Sequence, residues 1–352
     1  MPYWEHSFVN SLFWIYHYYA VCIGMSSHRY DYATNKYKQS LMMRVSVIIV
    51  NALTVLVLPW VLWECTNIFI SDEWTLLITW TFYVNIIIHG LAIIYTVINR
   101  YRRELALCGI SIEMMNIELN HLKDFPINHK IEAHYNTLFC IKYAFLVYTF
   151  VAHTVTLFYL MKKWTWYTIL LTLLFSNVDN VLHTTMFTYF VGIWYICRGI
   201  SYINDELKNL LNKYTDEEYK HHQYRKSVAK KLHYLLCLHC RLVRLIRLLN
   251  DAYSIQMLAI RITRFFTNVM IGFYAIVLFE NSSITSFWIL FGIITYLVIE
   301  HFVLQLFGNK LEIDLCGLFH VNKGLWFQMM TAVISYTIVL VQFHLFLSQK
   351  TK

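Results

Sequence analysis

The sequence predicts an all-α membrane protein with seven transmembrane helices, and three observations predict it. Hydrophobic residues make up 58% of the chain and charged residues only 14%, against about 25% charged in a typical soluble domain. Seven mostly apolar segments reach the length of about 20 residues that a bilayer crossing needs. Lysine and arginine are concentrated in every second connection between those segments, as they are when alternate connections face the cytoplasm.

Taken in order, residues 1–40 form a cytoplasmic N-terminal segment. Within it Phe8–Met25 is barely long enough to span and carries Asn10, His17 and several aromatic residues, so it reads as an interfacial helix. The spans are Leu41–Trp63, Trp74–Val97, Phe139–Met161, Trp166–Ile196, Ile255–Phe279, Ile284–Phe307 and Trp326–Leu347. Residues 41–279 thus hold helices one to five with cytoplasmic helical extensions, 280–325 the sixth span and a following segment, and 326–352 the last helix with a short extracellular tail. Met1–Phe8 has no basic stretch of the kind that opens a cleavable signal, so the first span is expected to act as signal anchor. In Lys230–Asn250, Leu235, Leu238, Leu242, Leu245 and Leu249 share one helical face and Arg241, Arg244 and Arg247 another. That pattern predicts an extension of the fifth span packed on neighbouring helices.

Orientation follows from the basic residues. Arg29, Lys36, Lys38 and Arg44, the Arg100–Lys130 connection, the Arg198–Arg247 connection, and Lys310 with Lys323 all fall on one side. The opposite connections hold only Lys162 and Lys163, with Lys350 and Lys352 at the C-terminus. The N-terminus is therefore expected in the cytoplasm and the C-terminus outside, the reverse of a G-protein-coupled receptor. The net charge of +8 reflects these connections and the anionic inner leaflet, so no nucleic-acid partner is inferred.

Other classes have little support. No nucleophile–base grouping appears at catalytic spacing, so no enzyme activity is expected. Cys237 and Cys240 with His233 lack a second ligand pair at zinc spacing, so no metal and no cofactor are assigned. A transporter should show internal repeats or interrupted helices, and neither is visible. Asn281-Ser282-Ser283 is a glycosylation acceptor in an external connection.

The last span poses its own question, because an amide facing hydrocarbon without a partner is unfavourable. Gln328, Thr331, Ser335, Ile338, Gln342 and Leu345 follow at steps of three and four and so share one face. Such a stripe is either glue between helices or the wall of an aqueous path.

The same span carries a motif. Ser335-Tyr336, five apolar or hydroxyl residues and Gln342-Phe343 resemble the C-terminal signature of insect gustatory receptors, with Ser335 in place of threonine. Phe302–Leu306 and Lys310–Phe319 are similar to the segment that precedes the last span in that family. The resemblance implies a taste receptor whose four subunits, identical or related, surround a cation pore in the plasma membrane of chemosensory neurons. Carried over, Gln342 and Phe343 would stand at the outer constriction, with Val339 and Phe346 one turn either side and Ser335 further along the stripe. In the family an intracellular helical stretch separates the sixth span from the segment like Phe302–Phe319. Here Tyr296–Glu300 runs straight into it.

A small-molecule tastant should then bind among spans two to six on the external side. Asn85, His153, Asp179 and Asn268 fall roughly 12–20 Å deep at about 1.5 Å per residue. Asp179 stands out, since an intramembrane carboxylate is a functional candidate by default; the alternative is structural pairing with His183 or Asn180 on its own helix. Trp80, Tyr83, Tyr148, Phe150 and Trp288 are candidates for an apolar cage at the same level.

Overall fold

The apolar runs fold into helices that outlast the runs themselves. The computed structural model describes residues 7–31, 36–38, 40–69, 76–123, 125, 128–160, 164–215, 222–279, 314–315, 319–320 and 323–350. The helices are α1 (Ser7–Cys22), α2 (Leu41–Phe69), α3 (Leu76–Ile98), α4 (Arg100–Ile117), α5 (His129–Leu160), α6 (Trp166–Thr215), α7 (His222–Phe279) and α8 (Lys323–Lys350). Two short antiparallel pairs accompany them, β1 (Arg29–Asp31) with β2 (Lys36–Lys38) and β3 (Asp314–Leu315) with β4 (Phe319–His320). The predicted sixth span Ile284–Phe307, with Asn281 and Trp288, lies outside the described residues.

No proline interrupts α6 or α7, so nothing forces either helix to stop where its apolar run ends. The 58 residues of α7 extend about 87 Å, nearly three times the roughly 30 Å hydrocarbon core of a bilayer. The leucine-striped segment and the fifth predicted span are thus one continuous rod. Leu235, Leu238, Leu242, Leu245 and Leu249 are all buried against the other helices, each contributing about 2 kcal/mol where the alternative is water.

Among the described residues, Leu41–Asn67, Thr79–Ile98 and His129–Ala152 are both long and apolar enough to cross a membrane, and Thr331–Phe346 is a shorter apolar stretch. The apolar runs of α6 and α7 are diluted by polar residues, of which Asp179, Asn180, His183, Arg264 and Asn268 are buried inside the bundle. Polar groups are tolerable in such helices when they face protein rather than lipid.

Helix α6 is the axis of the assembly, packing on α5 and α7 and also on α2, α3 and α4. Its buried Leu182, Phe187, Trp194, Ile196 and Ile203 join Ile93 of α3, Met114 and Ile117 of α4 and Phe139 of α5 in one hydrophobic core. Helix α1 is docked on it: the Tyr16 ring sits 4.6 Å from that of Phe187, its hydroxyl bonds the Thr184 carbonyl at 3.2 Å, and Tyr19 bonds Asn180. Gly24 ends α1 with φ of +75°, a conformation that a side chain would strain. Its amide bonds the Val21 carbonyl at 3.0 Å and turns the chain back toward α4.

Ionic contacts lock the end of the bundle richest in arginine. Glu132 of α5 takes both Nε and Nη2 of Arg198 on α6, at 3.0 and 2.8 Å, together with the Tyr202 hydroxyl. Burial weakens the Arg198 charge, but Glu132 and Glu118 outweigh it and hold the guanidinium above its ordinary pKa. Glu104 of α4 gathers Arg100 at 2.9 Å, the Ser27 hydroxyl at 3.0 Å and His28 at 2.8 Å, clamping the segment after α1 onto α4. Past α4 the chain makes one wider turn, Glu118–Leu122, with the Lys123 amide on the Glu118 carbonyl at 3.0 Å.

Candidate functional site

Three helices each present polar side chains one turn apart. Asn85 and His89 lie on α3, Asp179 and His183 on α6, Arg264 and Asn268 on α7; residues four apart share a helix face. The faces meet at the centre of the bundle. His89 Nε2 bonds Asp179 Oδ1, His183 Nε2 stands 3.6 Å from Asp179 Oδ2, and Arg264 Nη2 lies 2.8 Å from His183 Nδ1. All four side chains are buried. One turn away the Thr267 hydroxyl donates to Asn85 Oδ1 at 3.1 Å.

A guanidinium can only donate, so His183 accepts from Arg264, whose Nη2 reaches both of its ring nitrogens. The carboxylate stands between two imidazoles from two helices, bonded to His89 and 3.6 Å from His183, and the arginine touches the second of them. One acid and one base, both out of water, stabilise each other in a low dielectric, and removal of either leaves the other uncompensated.

Some polar atoms remain unmatched. Asn268 Oδ1, on the same helix one turn beyond Arg264, is buried without a hydrogen-bond partner among the described residues, as are Asn180 Oδ1 and Thr184 Oγ1 on α6. Such atoms are under-satisfied acceptors in a setting where satisfaction is the rule.

The structure gathers only some of the sequence-selected ligand residues. Asp179, Asn85 and Asn268 converge on the α3–α6–α7 contact. Trp80 is 62% exposed and Tyr148 40% exposed, so both point away from that network. Tyr83 is half-buried beneath Trp80, ring centroids 6.4 Å apart. Phe150 is half-buried on α5. The His153 side chain lies outside the described residues, as do Trp288 and Asn281.

Sequence reading passed over His89 and Arg264. A basic residue inside an apolar segment was the available signal. Both stand 15 residues from the external ends of their predicted spans, Trp74 and Phe279, which puts them about 22 Å deep, beyond the roughly 12–20 Å level of the other candidates. Lys142 on α5, also buried and 5.3 Å from the Phe145 ring centroid, escaped for the same reason.

Helix α8 has two unlike faces. Val333 and Thr337 are buried and Leu340 and His344 half-buried, with Thr337 bonding the Val269 carbonyl at 3.4 Å and His344 6.0 Å from the Phe273 ring. Opposite them, Gln328, Thr331, Ser335, Ile338, Gln342 and Leu345 are all exposed. Val339, Phe343 and Phe346 flank that stripe and are exposed as well. Among the described residues the polar stripe is therefore not glue between helices.

On α7, Cys237 and His233 stand 3.6 Å apart. Among the described residues no group of three His, Cys, Asp or Glu side chains is placed to hold a metal ion.

A family model described as 7tm chemosensory receptor matches residues 14–300 and again 294–346. The two matches meet where Tyr296–Glu300 runs directly into Phe302. Candidate gustatory receptor 59b of Drosophila erecta is 24% identical over 259 residues, 73% of this chain and 42% of that protein. Candidate gustatory receptor 22d of Drosophila melanogaster is 25% identical over 199 residues, 44% of this chain and 50% of that protein. The aligned portion is thus about half the length of each relative or less.

Proposed function

Because the chain belongs to the 7tm chemosensory receptor family, we propose that it is a gustatory receptor subunit that detects small-molecule tastants and opens as a ligand-gated, non-selective cation channel. The family has no catalytic role, and the chain is not an enzyme. In this reading seven helices cross the plasma membrane of a chemosensory neuron with the N-terminus inside, and four subunits set α8 around a central axis.

One observation carries the reading: the polar stripe of α8 turns away from its own bundle. A lone Gln342 facing lipid would be costly. Four Gln342 amides around an axis bond water or one another, while Phe343 packs beside them as part of the constriction. The α3–α6–α7 network lies on the helix that α8 packs against, since α7 carries Arg264 and Asn268 on one stretch and Gly272 and Phe273, which touch α8, on the next. A tastant that rearranges the network would thereby act on the pore helix through a single rigid rod.

Cysteine substitution along α8 tests this. With a membrane-impermeant thiol reagent applied from outside, Ser335→Cys and Gln342→Cys channels should lose most of their current, while Val333→Cys and Thr337→Cys channels stay unmodified. Modification confined to Val333 and Thr337 would contradict the proposal.

A further inference from the structure

We propose that the arginine-rich end of the bundle binds the headgroup of an anionic phospholipid, through Arg44 at the start of α2 and Arg102 on α4. The inference does not depend on channel activity.

Of the three arginines at the start of α4, two are engaged inside the protein. Arg100 pairs with Glu104 at 2.9 Å, and Arg103 donates to Gln256 at 2.8 Å. Arg102 is exposed. Beside it Arg44, also exposed, lies 5.5 Å from the centroid of the Tyr101 ring, which brings the starts of α2 and α4 together. Among the described residues neither Arg44 nor Arg102 has an acidic partner. The nearest carboxylate on α4, Glu104, is buried and fully occupied by Arg100, Ser27 and His28.

The backbone of the β1–β2 pair stands beside the same helix, its register setting Arg29 opposite Lys38 and Asp31 opposite Lys36. Strand β2 lies against α4, and the Glu104 clamp on Ser27 and His28 fixes the chain just before β1.

The surroundings select a lipid rather than a soluble anion. Leu41 and Met42 are 78% and 81% exposed, Ile98 68% and Leu105 58%. An uncovered aliphatic surface thus runs directly into uncompensated arginines, and acyl chains lie on the one while phosphate oxygens meet the other. Guanidinium groups bind phosphate through paired hydrogen bonds, and basic residues beside a span are attracted to anionic leaflets.

The test uses the full chain in nanodiscs of phosphatidylcholine containing a small fraction of phosphatidylinositol bisphosphate, with retained lipid counted by native mass spectrometry. The intact chain should retain the anionic lipid over phosphatidylcholine, each removed cation should weaken retention about fivefold, and Arg44→Gln/Arg102→Gln should therefore lose most of it. Arg102→Lys should keep more of it than Arg102→Gln. Since Arg44 and Arg102 are exposed, the thermal midpoint of the double variant in pure phosphatidylcholine should match that of the parent, which separates lost binding from lost fold. Equal retention by parent and double variant overturns the proposal. Displacement of the lipid by millimolar inorganic phosphate overturns the choice of lipid as occupant.

Discussion

Thr337 of α8 seats so closely against Gly272 of α7 that a methyl group at position 272 would stand 2.9 Å from the Thr337 hydroxyl and 3.2 Å from its methyl. Two helices that approach this nearly do so because one of them has no side chain at the crossing. The contact joins the helix carrying Arg264 and Asn268 to the helix carrying Gln342.

Gly272→Ala should therefore destabilise the protein. Overpacking costs about 1–3 kcal/mol, more than the roughly 0.8 kcal/mol that alanine gains over glycine in a helix. In a Thr337→Ala background the clash is relieved, and the same substitution should become neutral or stabilising. Thermal unfolding of the four chains of this cycle checks the change of sign; equal effects in both backgrounds would mean that the contact is not formed.

Asp179→Asn should lower the amount of folded protein at the cell surface. The carboxylate holds His89 and His183, and through His183 it offsets Arg264; loss of one partner from such a buried pair costs about 3–5 kcal/mol. Asp179→Asn/Arg264→Gln should recover part of the loss. Normal surface expression of the single variant, with an altered tastant response, would instead assign Asp179 to ligand recognition.

Much of this architecture was legible in the sequence, and the reason is local. The apolar runs that became α2, α3 and α5 announce themselves by length, and the leucine spacing of Lys230–Asn250 names the face that the bundle buries. What escaped is contact between distant segments. His89 and Asp179 are 90 residues apart and Arg264 and His183 are 81 apart, and no periodicity within one helix encodes which faces meet. Trp80 and Tyr148 turn away from the network for a related reason. Depth alone selected Trp80 and Tyr148, and depth does not say which way around the helix a ring points. The β1–β2 pair had no alternation long enough to be noticed. Pairing of α1 to Asn180 through Tyr19 likewise depends on a tertiary approach that the composition of Phe8–Met25 cannot reveal.

Glu104 gives the arginine-rich end of the bundle a pH dependence. Burial pushes its carboxyl up, but His28, the Ser27 amide and Arg100 together outweigh burial and hold it below its ordinary value of 4.5. A depressed folded value means that the stabilisation is fully present above that ordinary value and is lost as pH falls through the lower folded one. Glu104→Gln should thus be less stable than the parent by about 3 kcal/mol near neutrality, with the difference shrinking below pH 4.5. Unfolding midpoints across that range would show it; a gap that stays constant with pH would mean that the Glu104 charge plays no part.

Orientation is tested by epitope tags on intact cells. The distribution of lysine and arginine predicts that a tag before Met1 is hidden from antibody and one after Lys352 is reached. The reverse labelling would invert the molecule and remove the pore from consideration.

The central claim is that the exposed stripe of α8 lines an ion path, and ionic current through Gln342→Ala tests it most directly. Currents are recorded from cells expressing the parent or the variant and normalised to surface protein, with Tyr336→Phe as the comparison, since Tyr336 lies beside the stripe and packs edge-on 5.9 Å from Phe265. Replacing four amides by methyl groups widens the ring, so Gln342→Ala should change conductance, basal leak or ion selectivity, while Tyr336→Phe changes them little. A Gln342→Ala channel with unaltered amplitude, leak and selectivity would contradict the assignment of α8 as the pore helix.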